Sequence, residues 1–240
     1  MNQPGPRMLE VVGLTAHYGA SQALFGVDFQ VGEGEVVTLL GRNGMGKTTT
    51  IHATMGMVKP SGGRITWRGQ DITGRPSYQV ANLGLGLVPE GRQIFPNLTV
   101  RENLVATAHN LAENADPWTL NKILTRFPSL AARINGMGNE LSGGEQQMLA
   151  IGRALMTNPK LLILDEATEG LAPQIRTEIW QCLEDLKAQG QSILVIDKNV
   201  ASLTRIADRH YIIEKGQVVW SGTSEALLAQ PEIQHQYLGV

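Results

Sequence analysis

Cysteine is almost absent from this chain. Its 240 residues include one cysteine, Cys182, so no disulfide can form within the chain. A single cysteine is typical of a protein kept in a reducing compartment such as the cytosol, whereas small secreted proteins depend on several disulfides. Folding must therefore rest on an apolar core, and hydrophobic residues make up 42% of the sequence.

Long apolar segments and an excess of one charge are also missing. The longest apolar runs, residues 161–164 and 193–196, have the length of strands and fall far short of the ~20 residues that span a bilayer. Residues 1–8 lack the charged start and apolar run of a secretory signal, so we expect a disordered tail there. The net charge of −2 gives no electrostatic reason to expect nucleic acid as a partner.

A glycine-rich segment, residues 41–48, fits the phosphate-loop pattern G-x-x-x-x-G-K-[ST] at every fixed position. Residues 36–40 predict a buried strand before it, and residues 48–55 predict a helix after it. This context argues against a chance glycine-rich turn, because loop amides and a helix N-terminus together bind phosphate. The predicted nucleotide-binding residues in this segment are Gly41, Asn43, Gly44, Gly46, Lys47, Thr48 and Thr49.

Two carboxylates follow a second buried strand, which is predicted at residues 161–164. Asp165 then lies at the carboxyl end of a strand, where α/β sheets bind ligands, and it can hold Mg²⁺ opposite the Thr48 hydroxyl. Glu166 follows at the position where a base could polarise an attacking water. A solvated acidic turn is the alternative, and the phosphate loop upstream disfavours it.

The distribution of apolar residues predicts an α/β fold. Further strands are predicted at residues 9–15, 25–31, 64–67, 85–88, 211–214 and 218–220, the early ones as a small antiparallel layer. Between residues 91 and 157 the pattern is helical, with one shared face at Val100, Leu104, Ala108 and Leu111 and another at 120, 123, 124 and 127. Pro173 lies in the first turn of a later helix. Strands that alternate with helices predict a mostly parallel sheet covered on both faces.

Residues 141–147, Leu-Ser-Gly-Gly-Glu-Gln-Gln, have two interpretations. Ser142 and Glu145 are spaced as a capping box at a helix start. Two glycines at such a start also make an exposed anion site. Taken with the phosphate loop and the strand before Asp165, in this order along the chain, this segment resembles the signature of the ATP-binding-cassette (ABC) ATPases, although Glu145 replaces the commoner Gln.

The resemblance to ABC ATPases covers essentially the whole chain and implies more than the motifs do alone. It implies a P-loop (RecA-like) α/β core with an antiparallel β subdomain and a helical insertion, in one domain over residues 9–240. ATP and Mg²⁺ would be bound, and two such domains would pair head to tail. The signature residues of one subunit would then close on the γ-phosphate held by the other; they are Leu141, Ser142, Gly143, Gly144 and Glu145.

Single positions match this family with departures. Tyr18 matches the aromatic residue that stacks on adenine, with core packing as the alternative. Glu90 stands where the family usually has Gln near the metal, and it remains a candidate Mg²⁺ ligand with Thr48 and Asp165. Lys198 replaces a histidine that contacts the γ-phosphate, so it keeps a positive charge without the proton chemistry of imidazole. Glu166 and Lys198 are thus the candidate catalytic residues, and a solvent-facing charge is the alternative for Lys198.

Residues 88–92, 94–104 and 169–173 resemble one subgroup, the ATPase subunits of bacterial branched-chain amino-acid importers. This resemblance implies an ATPase at the cytoplasmic face of the inner membrane that powers uptake of branched-chain or other hydrophobic amino acids. Its partners would be two membrane permease subunits, a second related ATPase or a second copy of itself, and indirectly a periplasmic solute-binding protein. Urea and amide importers have closely similar subunits, so the solute stays open.

Two further functions compete with transport-coupled hydrolysis. The departures at Glu90 and Lys198, and Ala172 in place of the usual Asp, are also consistent with a subunit that mainly binds ATP as a switch. A soluble ABC ATPase of DNA repair or translation is the other alternative. The near-neutral charge and the lack of a second cassette or long coiled coil argue against it, and no nucleic-acid partner is expected.

Overall fold

A computed structural model describes residues 7–111 and 114–239 of the chain. Its strands are β1 (Arg7–Tyr18), β2 (Ser21–Gly32), β3 (Val36–Leu40), β4 (Pro60–Trp67), β5 (Gln70–Asp71), β6 (Leu85–Val88), β7 (Leu161–Asp165), β8 (Ser192–Ile196), β9 (Arg209–Glu214) and β10 (Gln217–Gly222). Its helices are α1 (Lys47–Thr54), α2 (Ser77–Asn82), α3 (Val100–Val105), α4 (Leu120–Arg126), α5 (Pro128–Ala132), α6 (Gly143–Leu155), α7 (Pro173–Ala188), α8 (Val200–Ile206), α9 (Ser224–Leu228) and α10 (Pro231–Ile233). None of these helices is both long enough and apolar enough to cross a membrane.

The strands form two sheets. One has the order β2-β1-β4-β5 and is antiparallel. The other has the order β10-β9-β3-β8-β7-β6, in which β9, β3, β8, β7 and β6 run parallel and β10 pairs antiparallel with β9. The predicted α/β fold with a small antiparallel layer is therefore confirmed. Of the predicted tail, residues 1–6 lie outside the described residues, whereas Arg7 and Met8 already belong to β1.

Strand β3 joins two hydrophobic cores. Val37 and Leu39 pack into the core shared with the antiparallel sheet. Val36 and Leu40 point the other way, into the core formed with helices α3 to α7. A strand buried on both faces in the middle of a parallel sheet has a nearly continuous apolar sequence, as residues 36–40 do apart from Thr38. The phosphate loop that follows β3 is thus anchored at the centre of the molecule.

The predicted helical region contains α3, α4, α5 and α6, but one predicted face is wrong. Val100 and Leu104 are buried, whereas α3 ends at Val105 and leaves Ala108 and Leu111 outside the helix. The amide of His109 donates to the carbonyl of Met156 at 3.1 Å, which draws the chain away from the α3 axis.

The second predicted face is shorter than expected. Ile123 is buried inside α4, and the buried Phe127 lies just beyond the helix, where it precedes Pro128 at the start of α5. A residue before proline disfavours the helical conformation, which explains why the helix ends there.

Candidate functional site

A cleft of about 510 Å³ lies beside the loop that follows β3. Three groups of residues line it, from the β1–β2 hairpin, from the phosphate loop and from the segments after β6, β7 and β9. They are Gln22, Ala23, Phe25, Asn43, Gly44, Gly46, Lys47, Thr48, Thr49, Glu90, Glu166, Glu169, Lys215 and Gly216.

Two glycines of the loop are required by its geometry. Gly41 has φ 137°, and a β-carbon there would lie 2.2 Å from the carbonyl oxygen of Ile213. Gly46 has φ 106° and is the N-cap of α1, where no side chain of the described residues caps the first turn. The amides at the start of α1 therefore lack a side-chain partner there, and Lys47, Thr48 and Thr49, which carry them, line the cleft, as an anion-binding helix N-terminus requires.

Lys47 is held by the loop that carries it. Its Nζ donates to the carbonyl oxygens of Gly41 at 2.9 Å and of Arg42 at 3.0 Å. Burial lowers the pKa of Lys47, and the carboxylates of Glu166 and Asp165 oppose that shift. Within the described residues Lys47 forms no salt bridge, so its charge remains available to an anion in the cleft.

Asp165 ends β7 with its carboxylate enclosed. The residue is 1% exposed, and neither carboxylate oxygen has a hydrogen-bond partner among the described residues. Burial raises the pKa of Asp165, while the Thr48 hydroxyl, close by but outside hydrogen-bonding geometry, opposes the rise. A buried carboxylate without a partner is unfavourable by itself. Two unpaired oxygens beside a hydroxyl fit a divalent cation such as Mg²⁺, which binds oxygen ligands.

Glu166 follows Asp165 in an unusual backbone conformation. Its φ is 49°, in the left-handed region that costs energy for a residue with a side chain. Its side chain is only 10% exposed. Burial raises the pKa of Glu166 to about 7, with Glu169 adding to the rise and Lys198 and Lys47 opposing it. A carboxyl group with a pKa near neutrality is suited to act as a general base.

Glu90, Glu166 and Glu169 converge on one wall of the cleft. One carboxylate oxygen from each lies within 4.8 Å of the others. The ammonium group of Lys198 forms a salt bridge with Glu169 and lies 3.7 Å from Glu166. The sequence did not indicate Glu169 as part of the site, since its only signal was a position in the loop that follows Asp165.

The structure brings most, but not all, of the predicted residues into the cleft. Asn43, Gly44, Gly46, Lys47, Thr48, Thr49, Glu90 and Glu166 line it. Gly41 and Asp165 are not among the lining residues, and Lys198 lines an adjoining cavity of about 310 Å³ that shares Glu166 and Glu169. Tyr18, predicted to stack on adenine, is 52% exposed at the end of β1 and does not line the cleft.

Other cleft residues carried no sequence signal. Phe25 and Gly216 are far apart in the chain, yet the amide of Phe25 donates to the carbonyl of Gly216 at 2.8 Å. This bond joins the β1–β2 hairpin to the β9–β10 turn and so brings Gln22, Ala23 and Lys215 to the cleft. Only the tertiary fold creates that proximity.

The residues predicted as a signature begin α6, away from the cleft lining. Ser142 is the N-cap; its hydroxyl accepts from the Glu145 amide at 3.3 Å, and Glu145 accepts from the Ser142 amide at 2.8 Å. The predicted capping box is therefore confirmed. Leu141 is buried, and Gly144 packs so closely that a β-carbon would lie 2.9 Å from the Ile175 side chain.

Comparisons with known proteins agree on one family. A family model described as ABC transporter matches residues 24–169. The high-affinity branched-chain amino acid transport ATP-binding protein BraG of Pseudomonas aeruginosa is 40% identical over 232 residues, covering 97% of this chain and all of that protein. The lipopolysaccharide export system ATP-binding protein LptB of Acidithiobacillus ferridurans is 34% identical over 233 residues, covering 97% of each chain.

A solved structure agrees as well. The ADP conformation of an ATP-binding cassette of an ABC transporter matches with a TM-score of 0.78 and 28% identity, covering 95% of this chain and 97% of that one. Members of this family bind ATP or ADP, dimerise and work with membrane permease subunits. The family model spans more than half of the 240 residues. The chain therefore belongs to the ABC transporter family as an ATP-binding subunit, and the activity of that family is ATP hydrolysis coupled to transport.

Proposed function

We propose that this chain is the ATP-hydrolysing subunit of an importer that takes up branched-chain or other hydrophobic amino acids. The observation that carries hydrolysis is the Glu166 carboxyl group, held in the same cleft as the phosphate loop. The solute class rests on the similarity to the Pseudomonas aeruginosa protein, whose printed name gives branched-chain amino acid transport.

The phosphate loop supplies binding in this proposal. Backbone amides at Gly44, Gly46 and the start of α1 donate to the phosphates, with Gly41, Asn43 and Thr49 shaping the loop. Lys47 exchanges its bonds to the loop carbonyls for the β- and γ-phosphate oxygens, an exchange favoured because no described carboxylate forms a salt bridge with it. Tyr18 lies outside the cleft lining, at the end of the hairpin that also carries Ala23 and Phe25, and in this proposal it contacts the adenine from there.

The carboxylates supply the chemistry. Asp165 and Thr48 are the proposed Mg²⁺ ligands, with Glu90 reaching the same ion through water, because the two buried oxygens of Asp165 have no hydrogen-bond partner in the part of the chain that the structure describes. Mg²⁺ bound there would neutralise charge on the phosphates. Glu166 accepts a proton from the attacking water, and Lys198 places a positive charge beside it at 3.7 Å.

A second subunit completes the site. We propose that Ser142, Gly143 and Gly144 close on the γ-phosphate held by the partner's phosphate loop, with Leu141 and Glu145 shaping that turn. The capping box supports this role, because it fixes the first turn of α6, to which the amides of Gly143 and Gly144 belong. The partner is a related ATPase or a second copy of this chain.

The proposed setting is the cytoplasmic face of the inner membrane. There the pair docks on two permease subunits, and a periplasmic solute-binding protein delivers the solute. Affinity purification of the tagged chain from gently solubilised membranes tests this assignment. Two multi-helix permeases and a second ATPase are expected. Recovery of soluble partners alone would remove the transport role and leave the ATPase chemistry.

Other solutes, and export instead of import, are the specific alternatives to this proposal. Urea and amide importers use closely similar subunits, and the LptB relative is named for export of lipopolysaccharide. Uptake of labelled leucine and of labelled urea by cells with and without this chain separates these possibilities. Loss of leucine uptake alone is the expected result; unchanged uptake of both solutes would contradict an importer of either kind.

A mainly ATP-binding switch is the second candidate function, favoured by the engagement of Lys198 with Glu169. A lysine already paired with a carboxylate has less charge to offer a phosphate. The variant Lys198→His separates the two functions. A large gain in turnover would support the switch, and no gain is expected if this chain hydrolyses ATP with its own residues.

A further inference from the structure

Lys198 connects two glutamates on one wall of the cleft. Its ammonium group pairs directly with Glu169 and lies 3.7 Å from the Glu166 carboxylate. Glu166 and Glu169 each have a carboxylate oxygen within 4.8 Å of the other. A single positive charge between two carboxylates lowers their mutual repulsion and holds them at a fixed spacing.

The backbones that carry this pair are tied to each other. The side chain of Asp197, 8% exposed, accepts hydrogen bonds from the amide of Thr168 at 3.2 Å and from its hydroxyl at 2.5 Å. Thr168 directly precedes Glu169, and Asp197 directly precedes Lys198. The amide of Glu166 also donates to the carbonyl of Ile196 at 2.9 Å. The loops after β7 and β8 are therefore held together independently of the salt bridge.

The three charged side chains, Lys198, Glu169 and Glu166, differ in their exposure to solvent. Lys198 and Glu169 are each 48% exposed, whereas Glu166 is 10% exposed. Exposed ion pairs contribute little to the stability of a fold. A lysine ammonium on its flexible stem also loses entropy when it is fixed in one place. Glu169 thus has little to contribute to stability and much to contribute to the position of Lys198.

We propose that Glu169 is a positioning residue for hydrolysis, which holds the Lys198 ammonium against Glu166 and so fixes the Glu166 carboxylate towards the cleft. The inference rests on the proposed role of Glu166 as the base. Glu169 and Lys198 act as one unit, since either side chain alone leaves its charge without the partner that orients it.

Kinetics with Mg²⁺ and ATP test this unit, measured on the tagged chain purified together with its second ATPase subunit, or as a homodimer where none is recovered. Glu169→Gln and Lys198→Met are each expected to lower kcat by roughly ten- to a hundredfold, as small displacements of a reacting group do. The KM for ATP should stay within about threefold, because the phosphate loop is untouched. The double variant should be no slower than the slower single variant, because the unit is already lost.

Exchanging the charges of Lys198 and Glu169 distinguishes a positioning role of this pair from a merely structural one. Lys198→Glu alone places a fourth carboxylate beside the others and should be the slowest variant. Adding Glu169→Lys to it restores an ammonium beside Glu166 and should recover at least tenfold in kcat. The exposed pair Arg205–Glu184, 2.9 Å apart, is the matched control. Arg205→Met, Glu184→Gln and their combination should leave kcat unchanged, and thermal unfolding should show every variant folded.

The outcomes distinguish a failure of the positioning role of Glu169 from a failure of the proposed ATP hydrolysis. Additive losses in the double variant, wild-type kcat in Glu169→Gln, or no recovery on charge exchange would overturn the positioning role. In those cases the wild type still hydrolyses ATP and Glu166→Gln does not. No ATPase activity in the wild-type pair, or hydrolysis at the wild-type rate in the Glu166→Gln pair, would instead remove the proposed function and the positioning role with it.

Discussion

The two walls of the cleft are built in different ways. The phosphate-loop wall is one contiguous segment, in which Lys47 bonds to the carbonyls of Gly41 and Arg42 a few residues away. The carboxylate wall joins Glu90, Glu166, Glu169 and Lys198, which follow three different strands. Backbone geometry sets the first wall, whereas contacts between side chains set the second. Contact with the phosphates should therefore depend mainly on the loop itself, and catalysis should depend on loops that are distant in the sequence.

The largest effect on hydrolysis is expected from a substitution in the phosphate-loop wall. Lys47→Met removes a buried ammonium that has no carboxylate partner within the described residues and keeps its charge for the nucleotide. We expect hydrolysis to fall by about a thousandfold, as when a preorganised charge-stabilising donor is lost, and ATP affinity to fall with it. The exposed Lys59→Met is the control and should behave as wild type. Retained affinity in Lys47→Met would show that the loop amides bind nucleotide alone.

The second prediction concerns a buried histidine in β9, the strand that pairs with β3 next to the phosphate loop. In β9, His210 Nδ1 lies 2.7 Å from the Thr38 hydroxyl and Nε2 lies 2.9 Å from the Ser224 hydroxyl. Ser224 donates to the Ala207 carbonyl, so Nε2–H donates to Ser224 and Nδ1 accepts from Thr38. Both ring nitrogens are satisfied in the neutral ring, and burial lowers the pKa of His210 from 6.5 to about 4.

This pKa shift predicts a pH-dependent stability. Between pH 6.5 and about 4 the unfolded chain binds a proton that the folded chain does not, so the stabilisation is full above 6.5 and is lost as the pH falls. The loss is about 3 kcal/mol in the free energy of unfolding. Glu166, whose pKa is raised to about 7, contributes the opposite slope. The free energy of unfolding is measured against pH for wild type and for His210→Gln, and the difference between the two curves removes the contribution of Glu166. The exposed His235→Gln is the control and should follow wild type. Equal slopes in wild type and His210→Gln would contradict a lowered pKa of His210.

A pH profile sharpens the account of the carboxylate wall. Glu166 must be deprotonated to accept a proton, and its pKa is raised to about 7. We expect kcat/KM to rise about tenfold per pH unit below that value and to level off above it. Because Lys198 opposes the rise in pKa, Lys198→Met should move the midpoint to higher pH. A profile that is flat between pH 5 and 8 would exclude Glu166 as the titrating base.

The smallest expected effect compares two helix starts. Ser142 caps α6 with its hydroxyl, as Thr223 caps α9. Ser142→Ala and Thr223→Ala should each cost about 1 kcal/mol of stability, measured by denaturant unfolding. Only Ser142→Ala should also slow hydrolysis, because only that turn is proposed to meet the partner's nucleotide. Equal hydrolysis in both variants would reduce the Ser142 motif to its structural role.

The sequence predicted the loop wall almost fully because that wall is local. A strand, a glycine pattern and a helix in immediate succession determine where Lys47 and Thr48 lie. The same holds for Asp165 and Glu166, which follow a buried strand, and for the capping box at Ser142. Each prediction needed only neighbouring residues and the period of the apolar pattern.

The rest could not be predicted, since it depends on how distant segments meet. The pairing of Glu169 with Lys198 requires the loops after β7 and β8 to adjoin, which follows from the order of the parallel strands. Lys198 was expected to serve the nucleotide and is found engaged by a neighbour that the sequence did not single out. The early end of α3 has the same origin, because a bond to Met156 outweighs the helical pattern at Ala108 and Leu111.

Single-turnover hydrolysis by Glu166→Gln, at saturating ATP, tests the central claim most directly. Gln keeps the size of the side chain and removes its ability to accept a proton. The account predicts ATP binding equal to wild type and hydrolysis slower by at least about a hundredfold, with Glu232→Gln, an exposed glutamate on α10, unchanged. Hydrolysis at the wild-type rate in Glu166→Gln would contradict the claim that this carboxylate wall performs the chemistry.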